Sequence, residues 1–398
     1  MAPSFVASDS LVGTSGALRQ YARAFTGSSS ILVVAPARVA AAAAEPAFAG
    51  WTVTDCSEQF IDVAGGGHAD QSDQLVFESS GTTGDPKLVR YRKQVLRSCA
   101  LAIGERLGLA ADREYVSLVN PRFAFGLSIV HSHLLAEATV RIAAPPVALD
   151  GWTRFRKSLR PDMRVYLAPH QSFLLAQDPT WRFDAPIELL FAGSPLRRSM
   201  IDALQRCFPL ATITNMYGQS ELGPRIATSS TPIGDFREGD VGRPLPGVRV
   251  RSGPAGELEV DSPFRMVGYV TVTGADSDSG SSEWWPTGDV GTVDADGRVV
   301  VTGRAAPDIN FLGARIRTEH LREAVRAVEG VLDASVSTVT HRALGQCPRI
   351  RVLVPAPADA DVTERAVRIA LSDTIGNAAA AVVVDIVDAV SLPESGKL

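Results

Sequence analysis

Residues 79–87 read S-S-G-T-T-G-D-P-K and come directly after the apolar stretch Leu75-Val76-Phe77, so four hydroxyls, two glycines and a lysine are gathered into nine positions. Glycine lets the backbone turn its N–H groups toward an anion, hydroxyls add short donors, and Lys87 brings a positive charge. That composition suits a phosphate cradle. It is not the G-x-x-x-x-G-K-[ST] loop of the common nucleotide hydrolases, because the lysine follows Pro86 and neither Ser nor Thr comes after it to hold magnesium. Taken alone, the same nine residues also describe a flexible surface turn.

The segments around the loop read as a layered α/β protein. Residues 30–54 contain an apolar strand (Ile31-Leu32-Val33-Val34), an Ala-rich helix and a second strand at 51–53. A helix is predicted over 93–109 and strands over 115–119, 165–168, 188–191 and 211–214, an alternation that favours a largely parallel sheet. From Gly242 the texture changes to short β-type runs at 248–250, 256–260, 290–293 and 299–301 with Gly and Asp turns, as in a compact β subdomain. A small α/β module then follows, with helices near 319–328 and 363–371 and strands near 334–339 and 350–354.

Composition excludes several function classes. With 398 residues and 45% hydrophobic residues the chain can supply the core of a large and a small domain. A formal charge of −5, from 39 basic and 44 acidic residues, leaves no basic footprint for nucleic acid. The apolar runs at 39–49 and 378–384 are short of the ~20 residues that a membrane span needs. The first residues lack a basic segment leading into an apolar core, which argues against a secretory signal. Cys56, Cys99, Cys207 and Cys347 form no C-x-x-C pair, so neither a zinc site nor a disulfide framework is expected, and a reducing cytoplasmic setting fits.

Three more segments occur in order along the chain: Asn215-Met216-Tyr217-Gly218-Gln219-Ser220-Glu221; Thr287-Gly288-Asp289 followed by Asp296-Gly297 and Gly303-Arg304; and Pro393-Glu394-Ser395-Gly396-Lys397-Leu398. Together with the loop at 79–87 they resemble the phosphate-binding signature, the Y-G-x-T-E segment, the T-G-D…D-G…G-R run and the lysine-bearing segment of the adenylate-forming superfamily. Acyl-CoA and aryl-CoA synthetases, the adenylation domains of peptide synthetases and luciferase belong to it. The resemblance implies a large N-terminal α/β domain with a β subdomain over residues 1–304, and a small mobile C-terminal α+β domain over 305–398. It implies an enzyme that uses ATP and Mg2+ to convert a small-molecule carboxylic acid into acyl-AMP.

On this resemblance Ser79, Ser80, Gly81, Thr82, Thr83, Gly84 and Lys87 hold the β- and γ-phosphates, with Thr82 and Thr83 as the chief hydroxyl donors and Thr83 counted as catalytic. Glu221 is the magnesium ligand, one carboxylate completed by phosphate oxygens and water being the usual arrangement. Ser220 keeps a hydroxyl near the α-phosphate, and Asn215, Met216, Tyr217 and Gly218 border the nucleotide, Tyr217 stacking beneath the adenine. Asp289 accepts from the ribose hydroxyls, Arg304 donates to the ribose, and Arg315 matches a position that helps bind phosphate or the thiol donor. Lys397 is the catalytic lysine, an ammonium on a flexible stem carried into the site by domain closure. Read without the resemblance, Asp289 is a turn residue, Glu221 a helix-start charge, Tyr217 a core residue and Lys397 a solvated terminal lysine.

The acid pocket of such enzymes falls here on Phe123, Ala124, Phe125, Gly126, Gly193, Ser194 and Pro195, beside Asn215 and Met216. No acidic residue stands in F-A-F-G, where amino-acid-activating members carry an aspartate, so an α-amino acid is disfavoured. Two phenylalanines suit an aromatic or short apolar acid, and equally suit packing of the core. Arg122, His131 and His133 are further polar candidates, the histidines sitting on an apolar helix. Three departures from the family pattern bear on the second step. The loop comes early, implying a shorter N-terminal subdomain; Ala306-Pro307 stand at the hinge; and the chain stops at Leu398. A thioester product is expected, with coenzyme A ahead of a carrier-protein phosphopantetheine and hence an acyl carrier protein partner. Transfer to an amine or another nucleophile is a further possibility, and a non-catalytic nucleotide-binding relative is the reading furthest from the residues present.

Overall fold

The computed structural model describes residues 6–7, 25–26, 31–33, 51–56, 61–65, 73–79, 87–121, 123–143, 145–146, 149–270, 277–278, 283–305, 309–311, 314–341, 345–355 and 360–388. Among these residues a 12-stranded sheet runs Val6–Ala7, Val140–Ile142, Tyr115–Ser117, Arg164–Leu167, Ile187–Phe191, Ala211–Tyr217, Ala227–Pro232, Asp240–Pro244, Val299–Arg304, Trp285–Val293, Glu257–Asp261 and Arg249–Ser252. Every pairing up to Ala211–Tyr217 is parallel. Every pairing beyond it is antiparallel.

The side chains account for the change of direction. Ile187–Phe191 is buried at four of its five positions, as a strand covered on both faces must be, whereas Trp285–Val293 alternates buried and less buried residues. The β subdomain read from residue 242 onward is joined to the parallel half through the strands Ala227–Pro232 and Asp240–Pro244. A second, 7-stranded sheet contains Gln74–Glu78 and Leu88–Arg92, paired as an antiparallel hairpin, with Gly268–Val270 on its flank.

Between these sheets lie Lys93–Leu107 and Ala124–Leu135, which pack on each other. Lys93–Leu107 ends where Gly108 turns left-handed at φ 55°, two residues earlier than the sequence predicts, and the N–H groups of Gly108 and Leu109 close on Glu105 and Gly104 oxygens. Ala124–Leu135 is buried at nearly every position, so its core face is its whole circumference. Its two histidines belong to that core. His131 stacks on Phe25 at 3.9 Å between centroids, and His133 meets Tyr115 and Tyr166 edge-on.

The C-terminal segment has a core of its own around Phe311, Leu321, Ile350, Val352, Val367 and Leu371. Its three-stranded sheet orders Asp333–His341, Gly345–Val354 and Val383–Asp388, covered by Thr318–Arg326 and Ala360–Ile375. Leu353 packs instead into the core of the large sheet beside Phe191, Met200 and Phe236, each such side chain contributing roughly 1.5–3 kcal/mol on burial. Cys99, Cys207 and Cys347 are free and buried. Among the described residues no helix is long and apolar enough to cross a membrane.

Candidate active site

The hairpin Gln74–Glu78 and Leu88–Arg92 closes at the Ser79 N–H, which donates to Lys87 O at 2.8 Å. Ser79 and Lys87 thus stand together at the end of this hairpin. Ser79 and Lys87 line a cleft of about 750 Å³, and Lys87 Nζ lies 4.9 Å from the centre of the Tyr269 ring. Ser80, Gly81, Thr82, Thr83 and Gly84 lie outside the described residues, as do Arg122 and Lys397 and the side chain of Arg315.

Ala211–Tyr217 extends three residues past its predicted end and carries Asn215, Met216 and Tyr217 into the same cleft. The turn after it folds back tightly. A Cβ added to Gly218 would stand 2.2 Å from Pro224 O, so a side chain there is excluded. Tyr91, buried in the hairpin, fastens this turn by donating to Ser220 O at 2.7 Å and accepting from Gly223 N–H at 2.9 Å. Glu221 is thereby held at the cleft. Its Oε1 accepts from Tyr269 O–H at 2.8 Å, and among the described residues Oε2 accepts no hydrogen bond. Burial, then the Glu221 charge, pushes the Tyr269 hydroxyl up, keeping it a donor. Among the described residues no group of three or more His, Cys, Asp or Glu gathers as a metal cage, so a cation at Glu221 would rely on oxygens from elsewhere. A single carboxylate fits magnesium carried by phosphates.

Asp289 is directly opposite Arg304 in the antiparallel ladder, with Oδ1 3.1 Å from Arg304 Nε. Its Oδ2 accepts from Tyr217 O–H at 2.6 Å and from Gln219 Nε2 at 2.8 Å, while its own N–H donates to Thr287 Oγ1 at 3.0 Å. Gly288, at φ 69°, makes the turn that this arrangement needs. The Tyr217 hydroxyl, whose ring the resemblance sets beneath an adenine, is also a donor to the Asp289 carboxylate, and burial followed by the Asp289 charge raises it well above the ordinary value. Asn215 does not offer its amide to the cleft; Nδ2 donates to Asp240 O at 2.9 Å and braces the strand.

At the other end of the cleft Phe123, Ala124 and Phe125 form a wall with Gly193, Ser194 and Pro195. Gly193 follows the strand Ile187–Phe191 at φ 96°, and a Cβ there would touch the Phe125 ring at 3.8 Å. Gly126 lies behind the wall rather than in it. An added Cβ would run into Asn120 O at 2.1 Å, so glycine permits the close approach of helix and loop. His131 and His133 also lie outside the lining, in the core behind it. Burial lowers His131 to about 3 and His133 to about 4, so both are neutral, and they are packing residues rather than contacts for a polar substituent.

The sequence did not single out Gln219, Tyr269 or Arg225. Gln219 stood inside a recognised segment as its variable position. Tyr269 and Arg225 carry no local signal, because each acts on a residue far from it or across a turn.

The family model described as AMP-binding enzyme matches residues 67–275, just over half of the 398 residues. A 2-succinylbenzoate–CoA ligase of Bacillus licheniformis is 26% identical over 315 residues, covering 73% of this chain and 62% of the relative. A 4-chlorobenzoate–CoA ligase of Arthrobacter is 25% identical over 307 residues, covering 73% and 58%. The chain thus spans about three fifths of the length of these relatives. Among solved structures, the o-succinylbenzoate coenzyme A synthetase of Bacillus subtilis in complex with ATP and magnesium ion superimposes with a TM-score of 0.59 at 20% identity, covering 81% of this chain and 68% of that one. The amide bond synthetase of Marinactinospora thermotolerans does so with 0.56 at 23%, covering 81% and 67%. Both share the fold, and with the family match they make this chain a member of the AMP-binding enzyme family, the adenylate-forming superfamily.

Proposed function

We propose that the protein activates a carboxylic acid with ATP, giving acyl-AMP and pyrophosphate, and then passes the acyl group to a thiol, with coenzyme A as the leading acceptor. The observation that carries the proposal is the convergence on one cleft of Asp289 with its donors, the Glu221 carboxylate, the hairpin end at Ser79 and Lys87, and the Phe125 wall. An oxygen of the acid attacks the α-phosphorus, the bond to the β-phosphate breaks, and pyrophosphate leaves.

Most of what the chain must do is position these groups and meet the charge that spreads over phosphoryl oxygens. Asp289 and Arg304 fix the ribose. Ser79 to Lys87 hold the leaving phosphates, Thr82 and Thr83 among them, and Ser220 meets the α-phosphate. Magnesium, when bound, neutralises phosphate charge; the free oxygen of Glu221 would hold it. The walls from Phe123 to Phe125 and Gly193 to Pro195 exclude water from the acid and suit an aromatic or short apolar frame. Arg225, 4.5 Å from the Phe125 ring centre, opposes an α-ammonium in the same place.

The proposed domain boundary follows Arg304, with residues 305–398 as a lid carrying Lys397 to the forming bond. A charged seam supports a lid that docks and releases. Asp333 lies 2.7 Å from Arg326 and 3.8 Å from Arg197 of the large lobe, and Arg197 donates to Glu238 at 3.0 Å. Thiol attack on the acyl carbon would then expel AMP. A cytoplasmic, reducing setting suits both the free cysteines and a thiol acceptor.

Incubation with ATP, labelled pyrophosphate and a panel of carboxylic acids tests the first step: acid-dependent label in ATP is expected, and its absence with every acid would refute adenylation. Lys397→Ala should abolish exchange while ATP binding persists. Addition of coenzyme A, phosphopantetheinylated carrier protein or an amine then separates the acceptors by product mass.

A further inference from the structure

Arg225 is 2% exposed and lines the cleft where the acid wall begins. Its guanidinium faces the Phe125 ring; Nη1 donates to Pro224 O at 2.6 Å and Nε to Met216 Sδ at 3.3 Å. A guanidinium carries five N–H donors in a planar fork, and these contacts use one on a carbonyl and one on a thioether, a weak acceptor. Among the described residues no carboxylate pairs with it. The groups whose charge would bear on it are Tyr166 and Cys99, both kept protonated by burial. Arg156, the other buried arginine among the described residues, has Asp178 at 3.9 Å. Burial lowers Arg225 to about 10, which leaves it cationic at neutral pH.

A buried cation without a counter-charge is costly, and a methionine or leucine would fill the space without that cost. Phe125, which its guanidinium faces, and Leu118, Val119 and Ala192 in the same cleft lining offer no acceptor side chain. We infer that Arg225 is a specificity-determining residue that receives a second anionic group, a carboxylate or its equivalent, on the acid at the end remote from the carboxylate being activated. The inference rests on the reading of the cleft as an acid-adenylating site. The second anion completes the fork in a dry surrounding, where a charge-assisted, two-pronged contact is strongest. An acid of the same shape ending in methyl would leave the guanidinium desolvated and unpaired, so selection comes chiefly from the cost of the wrong ligand.

The test measures pyrophosphate exchange for the wild type, Arg225→Met and Arg225→Lys with shape-matched pairs of acids, one ending in carboxylate and one in methyl, on aromatic and short aliphatic frames. In at least one frame the wild type should prefer the carboxylate-ended acid by on the order of a hundredfold in kcat/KM. Arg225→Met should abolish or reverse that order, and Arg225→Lys should retain part of it. Melting of the Met variant should be no earlier than that of the wild type, because a lone buried charge has been removed. A wild-type preference for the methyl-ended member in every frame, or an equal loss for both members in the Met variant together with earlier melting, overturns the inference and leaves adenylation standing. Exchange with none of the acids overturns both.

Discussion

At the nucleotide end of the cleft Asp289 accepts from Tyr217 and Gln219 and faces Arg304, and Tyr269 holds Glu221, so each carboxylate meets its donors before any ligand arrives. At the proposed acid end the sign is reversed, and among the described residues no carboxylate pairs with the buried cation, Arg225, that lies against Phe125. The two ends thus differ in what a ligand changes. A nucleotide would meet Asp289 with its acceptors already engaged and must compete for them, gaining through preorganisation, while one oxygen of Glu221 stays open. An acid enters a wall whose polar demand is incomplete, so its chemistry decides how well it is held.

Asp289→Ala gives the largest expected effect, because it leaves two donors and a guanidinium without their acceptor. Exchange should fall by roughly a hundredfold to a thousandfold for every acid alike, read as kcat/KM across the panel; a loss confined to some acids would erase the division between the ends. Tyr269→Phe frees Glu221 without removing it. The magnesium concentration for half-maximal exchange should rise by about tenfold to a hundredfold, again independently of the acid.

The helix that presents Phe125 supplies a smaller effect. Its buried histidines have folded values below the ordinary 6.5, so the unfolded chain takes up protons first. Stability is whole above about pH 6.5 and is lost as pH falls toward 4, by about 2 kcal/mol per histidine at pH 5. Chemical denaturation from pH 7 to 5 measures this, and His131→Phe should flatten the slope. Smallest of all is the seam between lobes. Arg197 and Asp333 should show a coupling of about 1 kcal/mol or less in a double-mutant cycle on stability, weakening with salt.

The residues around Asp289 and Glu221 that meet in the cleft were legible in the sequence because they sit in short contiguous segments. Tyr217 through Glu221 and Thr287 through Asp289 each place a carboxylate after a glycine turn, and the fold brings the two together. The acid end was legible only as a wall. Phe123, Phe125 and the glycine turn at Gly193 line the cleft, but Gly126 is needed for packing behind it and the histidines are core. Arg225 escaped because burial and the absence of a partner are properties of three dimensions. Three of the described helices and about half of the strands were recognisable from the sequence pattern, and the Lys93–Leu107 helix was located almost to its left-handed glycine. Continuity of the large sheet was not, since the pairing of Ala227–Pro232 and Asp240–Pro244 that joins its two halves is made by backbone groups, Asp240–Pro244 reaching across to Val299–Arg304 far along the chain. The strand Val383–Asp388 was passed over as part of an alanine-rich run, yet pairs parallel with Gly345–Val354.

That continuity has a mechanical meaning. Gly193 follows one strand of the large sheet, Tyr217 ends the next, and Asp289 and Arg304 lie on two more, all linked through an unbroken series of backbone ladders. Cooperative hydrogen bonding makes such a sheet act as a ruler, on which the spacing between the Asp289 carboxylate and the Gly193 turn is graduated in strand widths. A longer or shorter acid must then be accommodated by side chains, since the scale itself does not stretch.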